Sequence, residues 1–265
     1  MAIRSYLFVP ADRPERYAKA LAAGAGAVIV DLEDAVAPEA KHAARRTLGA
    51  WLPTAPAPVI VRVNAAETPW FADDLATCAH PAIAGVVVPK AERRANLAHV
   101  SAVAAGKKLY PLIESAAGYE AIRTLASAPG VERLVFGSID FQVDLGIDGE
   151  GDELLMFRSQ IVLVSRLAGI RSPVDGVSTA IDDADALRSD AERARRLGFG
   201  AKLCIHPRQV PVVERAFAPT DAERDWARRV LAASERAGGA AVAVDGRMVD
   251  KPVMLRARAI LDDAG

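Results

Sequence analysis

The chain has little of what several functional classes require. It holds only two cysteines, Cys78 and Cys204, which form neither a CxxC pair nor a disulfide framework, so a reducing, cytoplasmic setting is expected. It has no excess of one charge: 33 basic residues face 34 acidic ones, a formal net charge of −1, which argues against a nucleic-acid polyanion as partner. No apolar run has the length of a membrane helix, and the start passes from Arg4 through a short apolar run into the charged segment Asp12 to Arg16, too short for a signal peptide. Neither GxSxG, HExxH, a Walker motif nor a GxGxxG occurs. Of the histidines, His42, His80 and His99 lack metal-ligand spacing, and His206, just before Pro207, is expected to be a hydrogen-bonded rim residue.

What is present is a series of short apolar runs that end in polar residues. VIVDLED (28–34), VIVRVN (59–64), VVVPK (86–90), LYPLIE (109–114) and LVFGSID (134–140) show the pattern. Eight β-like runs can be placed at 5–10, 27–33, 58–64, 85–91, 108–114, 133–140, 172–178 and 201–207, each followed by helical spacing. Eight such units predict an α/β fold, a (β/α)8 TIM barrel. Strand C-termini of such a barrel open onto one face, so residues distant in sequence converge on one pocket.

The first helix is expected to start at Asp12 as N-cap, with Pro14 in its first turn and Glu15 at the capping-box position. Leu154, Phe157, Ile161, Val164 and Ala168 form an apolar helical stripe, and a helix over 186–198 ends at Gly198. Extra helices are expected over 208–217 and 220–237. The barrel domain is taken as 1–237, followed by a lid-like tail, 238–265, with a hairpin at Asp245-Gly246 and a helix from Pro252 to Leu261.

Glu114 and Asp140, at the ends of strands five and six, could bind one hard divalent cation and leave positions to water and substrate, in the manner of Mg²⁺. An N-cap or a rim salt bridge competes with that reading. Arg62 shares a face with Asn64, and its planar fork suits a carboxylate in two-point contact, either a substrate's or that of Asp31 or Glu33 next door. Asp31, Glu33 and Asp34 repel one another unless they share cations, protons or donors. They could hold waters around a metal, or be neutralised in part by Lys41 and Arg45.

The segments RSYLFVPADRPERYAKAL, VIVDLEDAVAPEAKHAAR, VIVRVN, VVVPKAE, LIESAAG, FGSIDF, LCIHPRQV and GRMVDKPV, in this order, resemble the citrate lyase β-subunit (CitE-like) family of the HpcH/HpaI aldolase superfamily, from residue 4 to about 260. The resemblance implies a Mg²⁺-dependent barrel acting on hydroxy-acyl thioesters of coenzyme A or of an acyl-carrier prosthetic group. It makes Arg62 the substrate-carboxylate arginine, with Glu114 also on the substrate side, and Glu114 and Asp140 the metal ligands. Asp250, in MVDKPV, becomes a lid aspartate that relatives often bring across a subunit interface. Glu33 and Asp34 are counted with the catalytic group, Arg16, Lys41 and Arg45 as coenzyme A contacts, and a homo-oligomer, trimer or hexamer, is implied. Ile139 departs from the family, where many relatives carry a polar or acidic residue before the second metal ligand.

The implied reaction is reversible Claisen-type cleavage of a hydroxy-dicarboxyl thioester to a 2-oxo acid (oxaloacetate, glyoxylate or pyruvate) and an acetyl-type thioester. A pyruvate aldolase is disfavoured because Asp34 stands where such relatives carry histidine. Malate-synthase-like condensation, thioester hydrolysis and a non-catalytic metabolite-binding role are the other readings.

Overall fold

The computed structural model describes residues 2–236 and 241–263. Its eight parallel strands are β1 (Ser5–Pro10), β2 (Ala27–Asp31), β3 (Val59–Arg62), β4 (Ile83–Val88), β5 (Lys108–Ile113), β6 (Val135–Phe136), β7 (Val174–Asp175) and β8 (Ala201–Cys204). They close in sequence order, with β8 pairing to β1. The helices between them are α1 (Tyr17–Leu21), α2 (Lys41–Trp51), α3 (Phe71–Cys78), α4 (Arg94–Val103), α5 (Ala116–Glu120), α6 (Ile122–Ala126), α7 (Ser138–Leu145), α8 (Leu155–Leu167) and α9 (Ala184–Leu197). The barrel is therefore the expected TIM barrel.

Strand side chains alternate between the two faces of the sheet. One set, including Tyr6, Ile29, Ile60, Val87, Tyr110, Leu112, Val135, Val174, Ala201 and Leu203, fills the interior. The same period carries the inward direction to the rim: two residues beyond Ile29, Ile60 and Leu112 stand Asp31, Arg62 and Glu114. The alternation that builds the core thus sets what faces the mouth.

Two local expectations are corrected. Asp12 caps nothing: Pro14–Arg16 form a 3-10 turn whose flanking residue is Arg13, one position past the aspartate, and α1 follows without a side-chain cap. Most strands also stop short of their expected C-terminal ends, β6 at Phe136 rather than 140. The stripe on α8 and its approach is buried at Leu154, Ile161 and Val164, and Gly198 ends α9 in the left-handed region (φ 101°).

The chain divides into two compact units, Ile3–Glu214 and a second from Arg215 onward. The second contains α11 (Asp221–Arg236), a hairpin of β9 (Val242–Val244) and β10 (Arg247–Val249), and α12 (Lys251–Asp262), while α10 (Val210–Phe217) spans the boundary. The boundary expected at 237 lies inside this unit because α11 shares an apolar core with the tail, through Ala227, Val230, Val249 and Ala257. Asp245 and Gly246 both take positive φ, 50° and 73°, which the right-handed twist of a two-residue hairpin demands. No helix among the described residues is long and apolar enough to cross a membrane.

Candidate active site

At the C-terminal ends of the strands lies a cavity of about 350 Å³, lined by Asp31, Asp34, Arg62, Glu114 and Asp140 among polar residues and by Phe8, Leu112, Phe136 and Leu203 among apolar ones. Arg62, Glu114, Asp140 and Asp34, far apart in sequence, thus line one cavity.

Arg62 ends β3 with its guanidinium against the Phe8 ring, 4.7 Å from the centroid. Its two-point contact is with Asp31: Nε donates to Oδ1 at 2.7 Å and Nη2 to Oδ2 at 2.6 Å. Asp31 also accepts from the backbone N–H groups of Glu33 and Ala35, at 2.9 and 3.1 Å. Of the partners the sequence left open for this fork, a substrate carboxylate or Asp31 or Glu33, the neighbouring strand's Asp31 occupies it. What remains toward the cavity is the outer edge, where Nη1 lies 3.0 Å from Glu33 Oε2 and 3.4 Å from Asp34 Oδ2. Burial disfavours the Arg62 charge, but the Asp31 carboxylate outweighs it and raises the pKa.

Glu33 is buried, and its Oε2 has no hydrogen bond despite the nearby guanidinium. Burial pushes its carboxyl up to about 8, helped by the Asp34, Glu114 and Asp31 charges and opposed by Arg62. It is not among the residues that line the cavity, and it meets the Arg62 guanidinium at Nη1.

Glu114 follows β5 directly and is 5 % exposed. Its Oε1 accepts from the Lys90 backbone N–H at 2.7 Å, and Lys90 holds a positive φ of 44°, a strained conformation for a side chain with a Cβ. Burial raises its carboxyl to about 7; the Lys90 N–H opposes this and the Asp140 charge adds to it. On its other side Gly137 leaves no room: a Cβ there would stand 2.6 Å from Glu114 Cβ and 2.8 Å from Oε2. Gly137→Ala is therefore expected to displace the carboxylate and weaken Mg²⁺ binding about 10-fold or more, measured by calorimetry.

Asp140 does not end a strand. It lies in the first turn of α7, exposed, where the free N–H groups and the helix dipole favour a carboxylate. A buried carboxylate, whose ionisation the Asp140 charge makes costlier, and an exposed one form a hard oxygen donor set that fits Mg²⁺. Among the described residues no group of three or more His, Cys, Asp or Glu is placed to hold a metal, so these two would leave most positions to water and ligand.

Two of the three proposed coenzyme A contacts are spent elsewhere. Lys41 Nζ donates to the backbone oxygens of Leu32 and Glu33 at 3.0 and 2.8 Å, fixing the acidic turn, and Arg45 pairs with Asp74 at 2.8 Å and Asp73 at 3.0 Å. Arg16 fits better: with Lys19 and His206 it lines a second cavity of about 340 Å³ beside the ends of β1 and β8. His206 is a rim residue, its Nδ1 accepting from the Arg208 N–H at 3.2 Å. Asn64 gives its amide to Asp74 at 2.7 Å and takes no part in the site. Asp250, in the second unit, caps α12: its Oδ1 accepts from the Val253 N–H at 3.3 Å.

Sequence reasoning missed Lys90, Gly137 and Gln209. Gln209 is 1 % exposed; its Oε1 accepts from the N–H of Ile205 and of His206, and its Nε2 donates to the backbone oxygens of Ser178 and Ala180. It thereby clamps the loops after β7 and β8. The proline before Lys90 was the one visible hint of irregular backbone.

The HpcH/HpaI aldolase/citrate lyase family matches over residues 4–207, which contains every cavity residue above. The chain belongs to that family. It is 41 % identical to a citrate lyase subunit beta-like protein of Deinococcus radiodurans, over 98 % of this chain and 96 % of that one. It is also 35 % identical to a (3S)-malyl-CoA thioesterase of Cereibacter sphaeroides, over 98 % of this chain and 94 % of that one. Among solved structures, CitE of Mycobacterium tuberculosis in complex with magnesium, acetoacetate and coenzyme A is similar with a TM-score of 0.88 at 38 % identity, covering 100 % of this chain and 98 % of that one.

Proposed function

We propose that this protein is a Mg²⁺-dependent carbon–carbon lyase that cleaves or forms a hydroxy-dicarboxyl thioester of coenzyme A, exchanging it for a 2-oxo acid (oxaloacetate, glyoxylate or pyruvate) and an acetyl-type thioester. The observation that carries it is the meeting of Glu114, Asp140 and Arg62 in one cavity. The mycobacterial relative's complex with magnesium, acetoacetate and coenzyme A supports the same ligand classes.

Held by Glu114 and Asp140, Mg²⁺ would supply Lewis acidity toward a carbonyl oxygen. The rest falls to the chain's own groups. The outer edge of Arg62 binds the oxo-acid carboxylate, and the first turn of α7, which no side chain caps, offers backbone N–H donors to developing negative charge. Phe8, Leu112, Phe136 and Leu203 keep water from the reacting carbons. Asp31 and Glu33 hold Arg62, with Asp34 at its solvent side. Asp250 exchanges the proton at the thioester α-carbon, in cis or from a neighbouring subunit of a trimer or hexamer. Arg16 meets a coenzyme A phosphate.

Arg62→Lys is expected to keep the charge yet lose the contact with Asp31 and the outer edge, weakening oxo-acid binding by about 1.5–3 kcal/mol. An unchanged dissociation constant would make Arg62 structural.

The thioesterase relative favours a second reading, in which water takes the thioester. Incubation with malyl-CoA and citramalyl-CoA, with and without Mg²⁺, separates the two. Trapping of a 2-oxo acid as its hydrazone indicates carbon–carbon cleavage, whereas a free hydroxy acid with free coenzyme A thiol indicates hydrolysis.

A further inference from the structure

Two cavities share one wall. Phe8, Pro10 and Ile205 line both the cavity of about 350 Å³ that holds Glu114 and Asp140 and the one of about 340 Å³ that holds Arg16, Lys19 and His206. Strand alternation puts them there: Tyr6 and Leu203 face the barrel interior, so Phe8, Pro10 and Ile205, at even steps beyond them, face the mouth. Leu7 pairs with Cys204 across β1 and β8, which brings the next residue of each, Phe8 and Ile205, level. The first cavity carries carboxylates and Arg62, whereas the described lining of the second has basic side chains and no carboxylate. Within the shared wall Ile205 is the exposed member, 40 % accessible, and its apolar surface is there for a ligand to cover. It is also rigid: its N–H donates to Oε1 of the buried Gln209 at 2.9 Å, and a β-branched side chain has little rotamer freedom.

We infer that Ile205 determines which acyl thioester the protein accepts, by limiting the size of the group carried on the thioester α-carbon. This rests on the lyase reading above. In that reaction the α-carbon bonds to the oxo-acid carbonyl carbon on one side and to the thioester carbonyl on the other. With the oxo acid in the first cavity and the anionic tail of coenzyme A in the second, the α-carbon lies where the two meet, at the shared wall. A hydrogen on that carbon clears the wall, whereas a methyl or ethyl group meets the Ile205 side chain. Acetyl thioesters are therefore the preferred class, and propionyl and butyryl thioesters are selected against.

The test compares the wild type, Ile205→Ala and Ile205→Phe, all as the full chain. It reads kcat/KM for acetyl-, propionyl- and butyryl-coenzyme A condensed with glyoxylate in saturating Mg²⁺, and calorimetry gives the affinities for Mg²⁺ alone and for pyruvate with Mg²⁺. The propionyl-to-acetyl ratio of kcat/KM is expected to rise about 10-fold in Ile205→Ala, the scale of one methylene in an apolar pocket, and to fall in Ile205→Phe. The butyryl thioester should gain more than the propionyl one from Ile205→Ala, and the Mg²⁺ and pyruvate affinities should stay at wild-type values. Opposite shifts from a smaller and a larger side chain are a result that a merely structural isoleucine does not give. An unchanged ratio in both variants, or an equal loss with all three thioesters, would overturn the role of Ile205 and leave the lyase reading intact. Weaker pyruvate binding in Ile205→Ala would overturn it too, by moving the residue into the oxo-acid subsite. A wild type that condenses none of the three thioesters with glyoxylate or pyruvate, and cleaves neither malyl-CoA nor citramalyl-CoA, would overturn the lyase reading and this inference with it.

Discussion

Replacing Glu114 by glutamine is expected to abolish Mg²⁺-dependent binding of 2-oxo acids while the barrel remains folded. Glutamine keeps the shape and can still accept from the Lys90 N–H, which donates to Glu114 Oε1 at 2.7 Å, but it supplies no charge to a cation. Acidity sharpens the expectation. Burial and Asp140 hold the Glu114 carboxyl near 7, above its ordinary 4.5. The folded metal-free protein therefore binds more protons than the unfolded chain between those values, so this group's contribution to stability falls as pH rises through that window. The cost is up to about 3 kcal/mol once the group is ionised, and the neutral glutamine escapes it. Metal-free Glu114→Gln should thus be the more stable protein above pH 7 and no more stable below pH 4.5. Wild-type Mg²⁺ affinity should climb with pH up to about 7 and flatten above it, since the cation competes with the proton. Wild-type Mg²⁺ affinity in the variant, measured by calorimetry, would end the assignment of Glu114 as ligand.

The barrel was legible because its cause is periodic. Alternating residues such as Ile60 and Arg62 must face one side of a strand, and eight such runs in a parallel order close in one way. Strand ends were less legible, because Gly137, Ser138 and Ile139 continue the run on paper while the backbone has already entered α7. Asp140 was consequently placed on the right pocket and the wrong element. The partner of Arg62 was open for a different reason: Asp31 and a ligand carboxylate offer the same chemistry, and only the register of β2 against β3, which sets Asp31 beside Arg62, puts the protein's own carboxylate in the fork. Gly137 and Lys90 could not be found by residue type at all. Their roles come from closeness in space: a missing Cβ against Glu114 and a strained backbone N–H.

Asp250→Asn is expected to lower kcat by roughly 10²-fold or more, the usual scale of general acid–base catalysis, with Mg²⁺ and oxo-acid affinities unchanged. The substitution is clean because of what Asp250 does locally. Its Oδ1 accepts from the Val253 N–H at the start of α12, and asparagine caps a helix as well as aspartate does, so α12 and the hairpin before it should stay in place. Loss of turnover with an intact cap then reports the carboxylate's basicity rather than the fold of the second unit. The same variant asks whose site the aspartate serves. If it reaches a neighbouring subunit, protomers carrying Asp250→Asn mixed with protomers carrying Glu114→Gln should regain activity, because some sites in the hybrid combine an intact Asp250 with an intact Glu114. No recovery in a verified hybrid oligomer would place the aspartate in the service of its own chain. Full activity of Asp250→Asn alone would leave it a helix cap and assign the α-carbon proton to another group, with Asp34, already at the cavity wall, the next to be replaced.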